Sequence, residues 1–383
     1  MQRITGKYSK TTTAGETVQA FVPNPLPPVP ALRENSKIST KLYECVARLS
    51  ELKVASHLVP SPDFFNYAFV RQEAILSSQI EGIQATLTDL LSYEIDPERE
   101  TPDLLEVCNY LDALQYGRSQ LFGKKGLPLS LRLIREMHKR LMRGVRGSSK
   151  QPGEFRSSQN WIGGSRPSNA HFVPPPPAEM LQCLASLEDY LHKNSLEHPL
   201  IRIGYIHVQF ETIHPFLDGN GRLGRLLIAL LLEAWGFLDA RLLYLSLHFK
   251  RNQHEYYKRL DAVRQSGDWE SWLEFFLDGI STIAQETIQT SQKLFRQFEE
   301  DRRNLLASKD VVISAVRLFE LLPNHPVITV NKAVELLQTT KPTASKAIEV
   351  LRSNGILNQV CNVKRNRSFG YQKYLDLLKT DYS

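Results

Sequence analysis

One stretch of twelve residues, HPFLDGNGRLGR from His214 to Arg225, brings together residue types that can do phosphate chemistry. His214 can take a proton near neutral pH. Asp218 is a hard oxygen ligand suited to Mg2+ bridging phosphates. Pro215 discourages continuation of the preceding helix, Asp218-Gly219-Asn220-Gly221 is turn chemistry, and an apolar helical run, LGRLLIALLLEAW, follows. The N–H groups that open such a helix have no intrahelical partners, and glycines let a ligand come close, so the turn is a phosphate cradle. Arg222 and Arg225 are three apart, share one face of that helix end, and are expected to clamp the distal phosphates of a nucleotide.

Gly219, Gly221 and Gly224 also satisfy the dinucleotide fingerprint G-x-G-x-x-G, with Asp239 about twenty residues beyond. That fingerprint requires a buried strand before it, inside a βαβ unit. Here Ile203, Ile206, Phe210 and Ile213 repeat at helical spacing, and no alternating strand–helix series exists elsewhere. The dinucleotide reading is rejected.

The twelve residues resemble the Fic family signature, His-x-Phe-x-Asp/Glu-Gly-Asn-Gly-Arg-x-x-Arg, at every fixed position. The resemblance implies a protein adenylyltransferase, with ATP as substrate and Mg2+ as cofactor. In that reading His214 deprotonates the hydroxyl of a target protein, which attacks the α-phosphorus, and pyrophosphate leaves. Phe216 anchors the loop and Asp218 holds the metal. The nucleotide-binding run is Gly219, Asn220, Gly221, Arg222, Leu223, Gly224 and Arg225, joined by Tyr257 of the Tyr256-Tyr257 pair at the adenine. Ser77, Glu81 and Gly82 in SSQIEG resemble the family's N-terminal inhibitory motif. The implication is that Glu81 pairs with Arg225 and keeps the γ-phosphate off it. The family also implies a flap at 153–177 that pins the target by β-augmentation, and a homodimer. Two competing readings are a DNA-binding regulator with a nucleotide-sensing core, and a hydrolase in which the glutamate positions water to remove AMP.

The elements that must position these residues are mostly α. Apolar spacing predicts helices near 39–54, 63–93, 102–121, 128–143, 178–193, 198–213, 220–235, 250–265 and 268–305. Between them GEFRSSQNWIGGSRPSNAHFVPPPP, residues 153–177, reads as a β-hairpin. Residues 1–30 read as a polar, then proline-rich extended arm lying on the main domain. The expected divisions are that arm, an N-terminal helical region at 31–126, a catalytic core at 127–279, a linker helix at 280–309 and a winged helix-turn-helix at 310–383. The last comprises helices Val311–Leu322, Val330–Leu337 and Thr343–Ser353, with strands Ile356–Val363 and Ser368–Tyr371.

A chain of 383 residues with 42% hydrophobic and 23% charged residues is ordinary for a globular protein of two or three domains. Its net charge of +6 fits phosphate-bearing ligands without requiring them. Residues 310–383 hold ten Lys and Arg against six Asp and Glu. Ser345, Lys346, Lys364, Arg365 and Arg367 are there to meet DNA phosphates, although the helix has little base-reading chemistry and suits protein docking equally. Cys45, Cys108, Cys183 and Cys361 are far apart, which argues against disulfides or zinc and suits a reducing cytoplasm. Neither a leader nor a membrane span is expected.

Overall fold

The computed structural model describes residues 3–32, 36–57, 63–95, 98, 100–124, 126–238, 243–360 and 367–379. Asp239, Cys361, Lys364 and Arg365 lie outside the described residues. The chain opens with β1 (Gly6–Thr13) and β2 (Glu16–Pro23), then α1 (Ser36–His57), α2 (Asp63–Ile80), α3 (Leu87–Ile95), α4 (Pro102–Leu121) and α5 (Leu131–Leu141). The central helices are α6 (Pro177–His192), α7 (Pro199–Ile213) and α8 (Asn220–Ala234). After them come α9 (Ser246–Arg251), α10 (Gln253–Ser266) and the long α11 (Trp269–Ala307). The C-terminal part is α12 (Ile313–Leu321), β3 (Val327–Thr329), α13 (Val330–Leu337), α14 (Lys341–Ser353), β4 (Leu357–Gln359), β5 (Ser368–Tyr371) and α15 (Gln372–Lys379).

The pair α7 and α8 occupies the centre because both are apolar nearly all round, and such helices are stable only when covered on every side. Helix α7 buries Ile203, Tyr205, Phe210 and Ile213, and α8 buries Leu223, Leu226, Leu230 and Leu231. Helices α2, α4 and α5 cover α8, while α6, α10 and α11 cover α7. Each fully buried Leu, Ile or Phe contributes roughly 1.5–3 kcal/mol. The shell therefore holds the turn between α7 and α8 against a rigid core.

Four local expectations change. The helix expected at 63–93 is two, because Gly82, at φ 89°, ends α2 just past Glu81. The helix expected at 250–265 is preceded by a separate turn of helix, α9, which ends at Asn252. Residues 6–23 are an antiparallel hairpin rather than an extended arm; Ala14 and Gly15, both at positive φ, form the two-residue turn that matches strand twist. The 153–177 loop doubles back through one antiparallel bridge, Ile162 to Phe172, and not through a ladder. Its chain is instead joined to β2, where the Phe21 N–H donates to the Val173 carbonyl at 2.9 Å.

In the C-terminal part, α12, α13 and α14 pack on one another, and the strands form a sheet in the order β3-β5-β4. Strand β3 and helix α15 are additions to the expected pattern. Helix α11 continues from the central bundle into this part, where Phe298 stacks on Phe319 at 4.5 Å. Asp301 of α11, 1% exposed, accepts from the Tyr371 hydroxyl at 2.8 Å, the Lys373 ammonium at 2.7 Å and Gln297 at 3.1 Å. Removing that acceptor strands a buried phenol, so Asp301→Ala should lower stability by about 2–3 kcal/mol. Urea unfolding measures this; an unchanged midpoint would show that the contact is dispensable.

Candidate active site

His214 caps α7 in the left-handed conformation, φ 49° and ψ 62°, with its N–H still donating to the Phe210 carbonyl at 3.0 Å. A non-glycine residue holds this conformation only when its surroundings impose it. Arg156, 1% exposed, imposes it here. Its guanidinium donates to the carbonyls of His214 at 3.0 Å, Ser158 at 3.2 Å and Ile213 at 3.4 Å, and to that of Pro175. Its backbone N–H donates to the Pro215 carbonyl at 2.9 Å. One arginine thus ties the histidine turn to both ends of the 153–177 loop. Burial, followed by the charges of Arg156 and Arg264, lowers the His214 pKa to about 3, so the imidazole is neutral and able to accept a proton. Its Nδ1 is buried without a hydrogen-bond partner.

The turn beyond His214 is stapled by its own residues. Phe216 is fully buried, and Asn220 accepts from its N–H at 2.9 Å and donates to its carbonyl at 2.8 Å. The Asn220 side chain is therefore spent on the loop, and its contribution to an anion hole is its backbone N–H. The first N–H groups of α8, from Asn220 onward, have no intrahelical acceptors. His138 of α5 holds the turn from below. It stacks on Phe216 at 3.7 Å, accepts from the Gly153 N–H at Nδ1 (2.9 Å), and so donates from Nε2 to the Asp218 carbonyl at 3.0 Å. Asp218 Oδ1 accepts from the Gly219 N–H at 2.7 Å, and Oδ2 lies 3.3 Å from Lys150 Nζ.

The two motif arginines part company. Arg225, 2% exposed, donates to the Ser77 hydroxyl at 2.9 Å, the Ser77 carbonyl at 2.8 Å and Glu81 Oε1 at 2.7 Å. Burial, the largest single influence, would lower its pKa, but Glu81 together with Tyr256 and Tyr257 raises it above the ordinary arginine value. A Cβ on Gly221 would sit 2.4 Å from Glu81 Oε1, so a side chain there would require the Glu81 carboxylate to shift from its place at the start of α8. Arg222, also 2% exposed, instead pairs with Glu106 of α4 inside the core. The expected two-arginine clamp is thus one arginine held at the cleft and one turned inward, because a spacing of three on a helix leaves about 60° between side chains. Ser77, Glu81, Gly221 and Arg225 meet; Asp218 lies 4.0 Å from Arg222.

Helix α2 is itself pinned through the same stripe. Glu73, four residues before Ser77, accepts from the Ser246 N–H at 3.0 Å and the Tyr110 hydroxyl at 3.2 Å. Of the tyrosine pair, Tyr256 is core, bonded to His207 at 2.8 Å, while Tyr257 is 43% exposed and in the field of Glu81 and Arg225. Arg156, His138, Glu106 and Lys150 were not singled out from the sequence. His138 carried a faint signal, a histidine on the apolar face of a helix; the others carried none.

Glu106→Ala leaves buried Arg222 with only Asp218, at 4.0 Å, as a counter-charge and should cost about 3 kcal/mol, most of which Arg222→Leu in the same chain should recover. Chemical denaturation of both variants and their combination tests this, and simple additivity would contradict a shared pair. Burial lowers the His138 pKa to about 4, so between about pH 4 and 6.5 the unfolded chain binds a proton that native His138 refuses. Its contribution to stability therefore falls on acidification through that window. His138→Asn should remove about 2 kcal/mol of the loss between pH 6.5 and 5. Urea midpoints of both proteins at the two pH values decide it; parallel losses would refute the assignment.

Known proteins resemble the chain in sequence and in fold. Residues 128–232 match the model of the Fic/DOC family, and residues 40–119 match that of the Fic/DOC family N-terminal region. Curated relatives include the protein adenylyltransferase Fic of Aedes aegypti, 29% identical over 216 residues, 51% of this chain and 40% of that protein. That of Drosophila persimilis is 31% identical over 169 residues, 43% of this chain and 30% of the relative. The chain thus spans less than half the length of these relatives. A Fic family protein from Desulfovibrio desulfuricans G20 shares the fold with a TM-score of 0.58 at 21% identity, covering 89% of this chain and 97% of its own. Fic-1 of C. elegans, residues 134–508, superposes with a TM-score of 0.50 at 21% identity, covering 68% and 73%. The helical bundle accords with the two matched segments, so this chain carries a Fic/DOC family domain at residues 128–232, preceded by the family's N-terminal region at 40–119.

Proposed function

We propose that the chain transfers AMP from ATP to a Ser, Thr or Tyr hydroxyl of a target protein or of itself, and that Glu81 restrains the transfer. The observation that carries this reading is the 2.7 Å contact of Glu81 with Arg225 on α8, the helix that follows the turn bearing a neutral His214. In the reaction His214 accepts the hydroxyl proton as the oxygen attacks the α-phosphorus. The bond from that phosphorus to the β-bridging oxygen breaks, and pyrophosphate departs. Backbone N–H groups at the start of α8 stabilise the charge that gathers on the α-phosphate oxygens. Arg225, once released by Glu81, takes a distal phosphate.

The donor set suits Mg2+. Among the described residues no group of three or more acidic, His or Cys side chains could hold a metal, and the carboxylate carried by the turn is that of Asp218. Mg2+ is commonly held by one or two carboxylates with phosphates and water completing the shell, and it would neutralise phosphate charge here. The 153–177 loop, joined to β2 at Val173, would present the target's backbone. The C-terminal part is read as a winged helix. On α14 Glu349 pairs with Arg352 at 3.0 Å among the cations, which favours docking to a protein over a phosphate backbone.

Incubation with ATP labelled at the α-phosphate tests the reading. Glu81→Gly should raise protein labelling by about tenfold or more, the worth of one charge-assisted hydrogen bond, and His214→Ala should abolish it. Equal labelling of wild type and Glu81→Gly would remove the inhibitory role. Labelling that survives His214→Ala would remove the proposed base.

A further inference from the structure

With Arg222 committed to Glu106, Arg225 is the single motif arginine left for a triphosphate whose β- and γ-phosphates must leave together as a polyanion. The turn that follows α5 brings two more cations to the same place. Lys150, its side chain 51% exposed, reaches Asp218 Oδ2 at 3.3 Å. Arg146, its side chain 66% exposed, lies 3.5 Å from the Glu81 carbonyl and 4.0 Å from Glu106 Oε1. Lys150 therefore stands beside the Asp218 carboxylate, and Arg146 beside the backbone of Glu81.

The approach is built into the backbone. Met142 and Val145 are buried, and the Met142 sulfur lies 3.6 Å from Arg222. Gly147 has φ 83°, and a Cβ there would fall 2.8 Å from both Asp218 Oδ2 and the Met142 methyl. Glycine adopts this φ without strain, and a side chain here would also require Asp218 and Met142 to shift. Exposed ion pairs add little to stability, so folding alone does not account for a turn fitted against the carboxylate.

We propose that Arg146 and Lys150 form a second cationic clamp, which holds the β- and γ-phosphates and then the departing pyrophosphate. In the free protein Lys150 steadies Asp218; when phosphates enter, its ammonium turns to their oxygens, while Arg146 reaches them from the Glu81 side. This inference rests on the nucleotidyl-transfer reading of the site, but its test does not need transfer to occur.

The test uses the full chain carrying Glu81→Gly, to which Arg146→Ala, Lys150→Ala, both together, or Lys150→Arg is added. Calorimetry measures binding of inorganic pyrophosphate and of AMP, with EDTA and with Mg2+. Each alanine should weaken pyrophosphate binding about tenfold, and both together should weaken it further. AMP binding should stay within about twofold, and Lys150→Arg should keep most of the pyrophosphate affinity. Unchanged pyrophosphate affinity, equal losses for AMP and pyrophosphate, or no pyrophosphate binding by the parent would each overturn the clamp. If this binding pattern holds while no labelled AMP reaches any protein, the transfer reading fails and the clamp stands.

Discussion

Arg225 is 2% exposed, and the anion that pairs with its guanidinium in this fold is Glu81, assisted by Ser77. Every other feature of the site arranges who may supply that charge. Helix α2 delivers the glutamate at its last turn, Gly221 makes room for it, and the start of α8 offers the same place to a phosphate. Carboxylate and phosphate cannot both occupy it. Under the proposed function, restraint and nucleotide binding are one competition, decided by which anion holds a single arginine.

That competition has meaning only because the turn between α7 and α8 does not adapt to its ligand. Arg156 fixes the backbone at His214 through four carbonyls, Asn220 closes the loop on Phe216, and His138 supports the Asp218 carbonyl from beneath. All three are buried and hydrogen-bonded. A buried polar group costs little when satisfied and a great deal when stranded, so such a network resists partial rearrangement. Preorganisation of this kind is what lets backbone N–H groups stabilise charge without moving.

The candidate site was legible in the sequence where its parts are neighbours along the chain. His214, Asp218 and the glycines fall within one turn, whose punctuation by Pro215 and the glycines is local chemistry. The core helices were legible for a similar reason, since their apolar spacing repeats within each segment; α11, expected at 268–305, runs from 269 to 307. What depends on partners far along the chain was not. Arg222 and Arg225 look alike in sequence, and only the placement of α4 and α2 sends one to Glu106 and the other to Glu81. Arg156, His138 and Lys150 act across 58, 80 and 68 residues, spacings that no periodicity announces. The N-terminal hairpin was missed although its signal was local: the two-residue Ala14-Gly15 turn was overshadowed by the prolines that follow.

The most direct test of the competition for Arg225 is a crystal structure of wild type and of Glu81→Gly, each with a non-hydrolysable ATP analogue and Mg2+. In the variant the γ-phosphate should contact Arg225 while the α-phosphorus faces His214; in wild type the Arg225–Glu81 contact should persist and the triphosphate should lie in another pose. A wild-type complex in which Glu81 stays on Arg225 and the triphosphate nevertheless adopts the same pose as in the variant would contradict the account.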